Sequence, residues 1–110
     1  MSLKKMTGGE AVVESLLANE VEIVTGLIGS STLEILDGLY NNSDKIRYIG
    51  CIQESAGMHL SDGLARYTGK PSIFLSGQAG PGVTNTVTSM AQAKAAFSPV
   101  INLAGAISSE

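Results

Sequence analysis

Glu54 is the side chain in this sequence best placed for proton chemistry. It follows an apolar, β-branched run containing Ile49, Cys51 and Ile52, and it precedes Ala56, Gly57 and Met58. That pattern sets it where a strand gives way to a helix. An acid in the first helical turn is favoured by the macrodipole, which is reason enough for a solvated glutamate there. The apolar neighbours make a poor solvated surface, however, so partial desolvation of the carboxyl is expected, a setting suited to proton transfer. Gly80-Pro81-Gly82 with Asn85 reads either as a tight strand-to-helix turn or as a loop whose bare backbone approaches a ligand. It is not a dinucleotide fingerprint, since Asn85 stands where the third glycine belongs, and no Gly-Lys-Ser/Thr follows to make a phosphate loop. His59 is the single histidine, so no His-paired triad exists within the chain, and it reads as an ordinary helical residue. Cys51, the only cysteine, reads as a small buried hydrophobe and excludes an internal disulfide or a thiolate metal cluster. Asp62 and Arg66 have the i,i+4 spacing of a surface or interface ion pair.

These residues need elements to position them, and the chain alternates helical and extended patterns throughout. Thr7 and Glu10 have capping-box spacing, with Val12, Val13, Leu16 and Leu17 on one helical face behind them. Residues 21–28 read as a strand ending at Gly29. A second box, Ser31 with Glu34, predicts a helix with a buried stripe of Leu33, Leu36, Leu39 and Tyr40. Residues 41–44 form a turn, and a second strand spans 46–52. The stretch from Glu54 to Tyr67 is expected to be a closely packed helix broken by Gly69 and Pro71. Residues 72–76 read as a short buried strand and lead into the glycine-rich stretch 77–82. A helix over 83–97, with Val83, Val87, Met90 and Ala91 on one side, is stopped by Pro99 before a last strand at 100–104. Apolar strands joined by helices predict an α/β fold, an open doubly wound parallel sheet with helices on both faces. Four strands are few for that architecture, so residues 1–110 are expected to be a single, incomplete domain. In such sheets ligands sit beyond the carboxyl ends of the strands. That rule selects the turn at 26–31, Gln53-Glu54, residues 76–82 and Gly105-Ala106.

Composition narrows the classes. The 110 residues are 44% hydrophobic and only 15% charged, which argues against disorder and for burial against another chain or domain. Net charge is −3 with the seven basic residues scattered, so no basic stripe exists to bind nucleic acid. The two lysines near the start have no apolar run behind them, and no stretch is long enough to span a bilayer. The chain is expected to be soluble and cytoplasmic.

Taken in order, several segments resemble one family: Thr7-Gly-Gly-Glu-Ala-Val-Val13, Gly26-Leu-Ile-Gly-Ser-Ser31, Glu54-Ser-Ala-Gly-Met-His-Leu-Ser-Asp-Gly-Leu-Ala-Arg66, Gly80-Pro-Gly-Val-Thr-Asn85 and Ser98-Pro-Val100. From Met6 to Ser108 the chain resembles the N-terminal, pyrimidine-binding domain of thiamine-diphosphate-dependent enzymes of the acetolactate synthase and pyruvate oxidase group. The resemblance implies that Glu54 hydrogen-bonds N1′ of the cofactor aminopyrimidine. It thereby favours the tautomer whose exocyclic nitrogen takes the thiazolium C2 proton, with the carbanion chemistry on a 2-oxo acid carried by the cofactor. It also implies that Ile28, Gly29, Gly80, Pro81 and Gly82 lie beside the ring, with Asn85 supporting the turn. The diphosphate and its Mg2+ are implied to sit in a different domain, usually of a neighbouring subunit, whose Gly-Asp-Gly motif is not found in this chain. The chain would then supply half a site and need a partner in a homo- or hetero-oligomer, met by the small-residue helix after Glu54. FAD is left open, because the middle domain that would hold it is not in this sequence. The chain departs from many relatives at Ile28, Gln53 and Ala106, where Pro, His and Gln are usual. Ile28 with Cys51 also resembles the sulfoacetaldehyde acetyltransferases. Two further readings stand beside the leading one: the small subunit of a split sulfopyruvate- or phosphonopyruvate-type decarboxylase, and a non-catalytic interaction domain of the same fold.

Overall fold

The computed structural model describes residues 5–107; residues 1–4 and Ser108, the far end of the family resemblance, lie outside them. Helix α1 (Gly8–Ala18) starts at the Thr7 capping box. The Thr7 hydroxyl accepts from the Glu10 amide at 3.2 Å, and the Glu10 carboxylate accepts from the Thr7 amide at 2.8 Å. There follow β1 (Ile23–Leu27), α2 (Leu33–Asn41), β2 (Arg47–Gly50), α3 (Glu54–Thr68), β3 (Ser72–Ser76), the short α4 (Pro81–Thr84), α5 (Val87–Ala95) and β4 (Val100–Ala104). The four strands form one parallel sheet in the order β2-β1-β3-β4, the expected doubly wound arrangement. Side chains alternate across it. Val24, Ile73 and Leu75 meet Val13, Leu16, Leu39 and Ile46 on one face, whereas the Thr25 hydroxyl reaches Ser61 and the Gly57 carbonyl of α3 on the other. Every residue of the central strand β3 is buried, and each fully buried Leu, Ile or Phe contributes about 1.5–3 kcal/mol relative to exposure.

Four expectations are corrected. The Ser31–Glu34 box does not form: residues Ser30–Thr32 make a 3-10 turn, α2 begins at Leu33, and the Ser31 hydroxyl accepts instead from the Ala79 amide at 3.3 Å. The stripe expected on α2 is narrower than its sequence, because Leu33 and Tyr40 are exposed while Gly38 and Leu39 face the core. The single helix expected over 83–97 begins earlier, at Pro81, and breaks into α4 and α5 at Asn85 and Thr86. There the Thr86 hydroxyl donates to the Val83 carbonyl at 2.6 Å, one of the local bonds that compete with the helical ladder. Consequently α5 buries Ser89 and Ala93, and leaves Val87, Met90 and Ala91 exposed. Finally, β2 ends at Gly50, so Cys51 lies past the strand and is half-buried.

Candidate active site

Strand β2 lies on one side of β1 and β3 on the other. Right-handed crossovers therefore place α2 and α3 on opposite faces, and the loops leaving β1 and β3 part beyond their carboxyl ends. Gly29 and Gly77 touch backbone to backbone at this reversal: a Cβ on either would fall inside the other's loop. Side chains tie the loops together. The Ser30 hydroxyl donates to Gln78 Oε1 at 3.3 Å, and Ser31 receives the Ala79 amide.

Glu54 is the first residue of α3. Gln53 caps that helix, its side chain accepting from the Ala56 amide at 2.9 Å. Glu54 is only 8% exposed, the desolvation expected of it. Its Oε2 accepts a 3.0 Å hydrogen bond from Asn85 Nδ2. Oε1 receives none from the described residues and lies beside Gly82, where a Cβ would stand 3.5 Å away. No Lys or Arg pairs with it among the described residues, whose ion pair is Asp62 with Arg66. The Asn85 amide reaches Glu54 because the chain turns sharply twice. Gly80, at φ +83°, takes a conformation that L side chains rarely adopt, Pro81 opens α4, and the break at Asn85–Thr86 ends it.

The structure thus brings Glu54, Gly82 and Asn85 together, with Gly80 and Pro81 on the loop feeding them. Gly29 sits against Gly77 at the adjoining loop. Ile28 is 67% exposed and lines a depression of about 420 Å3 with Leu36, Tyr40 and Tyr48. A larger cavity, of about 950 Å3, lies elsewhere, among Val12, Leu16, Val21, Leu64 and Leu103, and includes none of these residues. His59 is an exposed residue of α3. Asp62 and Arg66 pair as spaced, at 2.7 and 2.8 Å, and the Arg66 hydrogen bonds, helped by Ser98, hold the Asp62 carboxyl below the usual range. Sequence reasoning missed Thr86, Ser89 and Asn102. Thr86 Oγ1 accepts from Asn102 Nδ2 at 3.1 Å, Asn102 Oδ1 accepts from the Ser76 hydroxyl at 2.5 Å, and Ser89 Oγ donates to the Ser55 carbonyl at 3.0 Å. An asparagine inside the otherwise apolar run Val100–Ala104 was the available signal, since strands are depleted in it.

A parallel sheet with abutting glycine loops at its strand reversal and a buried, half-satisfied carboxylate one strand away defines a ligand-binding α/β domain. The chain belongs to the thiamine pyrophosphate enzymes as their N-terminal TPP binding domain, the family description that matches residues 6–110. It is 41% identical over 102 residues to the probable acetolactate synthase large subunit of Methanocaldococcus jannaschii, covering 93% of this chain and 17% of that protein. It is 39% identical to the sulfoacetaldehyde acetyltransferase of Alcaligenes xylosoxydans xylosoxydans (88% and 16% covered) and 36% identical to the acetolactate synthase isozyme 1 large subunit of Escherichia coli K12 (94% and 18%). The chain therefore spans 16–18% of the length of these relatives.

Proposed function

We propose that this chain forms the pyrimidine-binding half of a thiamine-diphosphate site that acts on 2-oxo acids in the manner of acetolactate synthase, with Glu54 as its proton-handling carboxyl. The observation that carries this reading is the state of the Glu54 carboxylate: buried, anchored through Oε2 to Asn85, with Oε1 unbonded beside a residue that has no side chain. A flat aminopyrimidine needs a hydrogen-bonding carboxyl at one edge and unencumbered backbone alongside, and these residues fit it. Bound there, the cofactor supplies the electron sink for decarboxylation. Glu54 Oε1 exchanges a proton with the ring-nitrogen edge, and Asn85 fixes which oxygen faces it. Gly80 and Gly82 leave room for the ring, Gly29 lets the loop after β1 close on Gly77 beside it, Pro81 stiffens the turn, and Ile28 offers apolar cover at the rim.

The diphosphate, its Mg2+ and any FAD belong to a partner domain or subunit. The surface that meets the partner is the outer face of α3, where Ala56, Leu60, Gly63 and Tyr67 are exposed at helical spacing. The retained, buried Glu54 speaks against a non-catalytic domain. In the assembled enzyme, Glu54→Gln is expected to lower 2-oxo-acid decarboxylation by about 10²–10⁴-fold, the usual worth of a positioned proton-transfer group, while oligomer size is unchanged. Activity equal to the unsubstituted enzyme would overturn the proposal. The likeness to a sulfoacetaldehyde acetyltransferase favours a second substrate reading, and turnover of sulfoacetaldehyde against pyruvate decides between them.

A further inference from the structure

Three side chains outside the carboxylate's own contacts form a chain of hydrogen bonds that ends at the Val83 carbonyl, two residues before its anchor Asn85. The Ser76 hydroxyl, at the end of β3, donates to Asn102 Oδ1 on β4 at 2.5 Å, and Asn102 Nδ2 donates to Thr86 Oγ1 at 3.1 Å. Thr86 Oγ1 in turn donates to the Val83 carbonyl at 2.6 Å. Ser76 and Thr86 are fully buried. Thr86 adjoins Asn85 at the break between α4 and α5, so whatever holds the break holds the backbone from which the Asn85 amide reaches Glu54. Asn102 also donates to Met90 Sδ at 3.4 Å, one turn into α5, and Ser89 ties that helix to the Ser55 carbonyl next to Glu54. The break is thus gripped from the sheet by Asn102 and from α3 by Ser89. A hydroxyl and an amide placed in a strand and a helix end that could have been apolar need an explanation, because buried polar groups are costly unless bonded.

We infer that Asn102 and Thr86 are positioning residues for Glu54, holding the α4–α5 break so that Asn85 keeps its bond to Oε2 and leaves Oε1 for the cofactor ring. This rests on the function proposed above. The hydrogen bonds of Asn102 go to Ser76, Thr86 and Met90 and none goes to Glu54, so its influence passes through the backbone between Thr86 and Asn85.

Two readouts in the assembled enzyme test it: exchange of the thiazolium C2 proton of added thiamine diphosphate with deuterated solvent, and the crystal structure of the cofactor-free Asn102→Ala enzyme. Asn102→Ala is expected to slow exchange about ten-fold, since small misplacements of a catalytic group cost that much or more, and to lengthen the Asn85–Glu54 contact beyond hydrogen-bonding distance. In an Asn85→Ala background the same substitution should add less than about two-fold, because the two act through one bond. Equal slowing in both backgrounds, or an intact Asn85–Glu54 bond in the crystal, overturns the inference. Should Asn102→Ala not assemble, Thr86→Val must slow exchange and Thr86→Ser, which keeps the hydroxyl, must restore it; equal rates in those two variants overturn it as well. Glu54→Gln separates this from the underlying reading: wild-type exchange in that variant defeats the proposed function, whereas lost exchange there with an unaffected Asn102→Ala enzyme defeats only the positioning role.

Discussion

Burying a carboxylate without a cation costs several kcal/mol, about the penalty left after relaxation in real proteins, unless hydrogen bonds carry the charge. Glu54 receives one such bond from the described residues and has an oxygen to spare. The unbonded Oε1 is what makes Glu54 the group proposed above to meet a cofactor from outside the polypeptide. Tyr48 shows the opposite case. Its hydroxyl is buried and has no hydrogen-bond partner among the described residues, and its pKa is pushed up to about 12 by burial, with nearby Cys51 adding to the shift. Removing an unsatisfied buried hydroxyl is neutral to favourable, so Tyr48→Phe is expected to raise unfolding free energy by about 1 kcal/mol in urea titration. The pH dependence has a definite sign. The unfolded tyrosine ionises near its usual 10.0 and the folded one near 12, so the folded state holds its proton longer. Stability falls as pH rises through that interval, and Tyr48→Phe should lose this slope.

At the scale of elements, α3 does most of the positioning. Gln53 caps it, Glu54 begins it, Gly69 in the left-handed conformation (φ +69°) ends it, and the Asp62–Arg66 pair braces its second half. Asp62 is nearly covered whereas Arg66 is half exposed, so the carboxylate depends on the guanidinium more than the reverse. Because the folded Asp62 carboxyl titrates below its usual value, chiefly through the Arg66 bonds, its stabilisation is complete above the unfolded value of 3.8. That stabilisation is lost as pH falls through the folded one. Melting temperatures measured from pH 7 downward should show Asp62→Asn less stable than the unsubstituted chain at neutral pH, with the gap closing in acid. A gap independent of pH would assign the effect to packing instead.

As a whole the molecule exposes apolar surface that its own helices do not cover. On α3, Leu60 is 42% and Tyr67 91% exposed, and Ile52 just before Glu54 is fully exposed. Exposed apolar side chains repeated along one helix face are the kind of surface that a partner covers. Leu60→Arg is expected to weaken association with the partner domain proposed above by about ten-fold or more, as a charge forced into an interface core does, without changing the circular dichroism of the chain. Unaltered assembly by analytical ultracentrifugation would place the partner on another face.

Local chemistry was enough to read much of this protein from its residues. The capping box at Thr7, the bounds of β3 and β4 and the parallel α/β class all follow from periodicity and turn residues, which act over a few positions. The Ser31 box, the long helix after Gly82 and the burial of Tyr40 did not survive, because each was decided by distant partners. Ser31 was claimed by Ala79, 48 residues away, the last helix is broken where Thr86 meets Asn102 from β4 as well as its own Val83 carbonyl, and Tyr40 was left exposed at the mouth of the depression it shares with Ile28 and Tyr48. The pairing of Asn85 with Glu54 is of the same kind, since it joins residues 31 positions apart and exists only because the strand order reverses between β1 and β3. Sequence spacing carries information along one helix or strand; which side chains share a crevice is settled by how those elements stack.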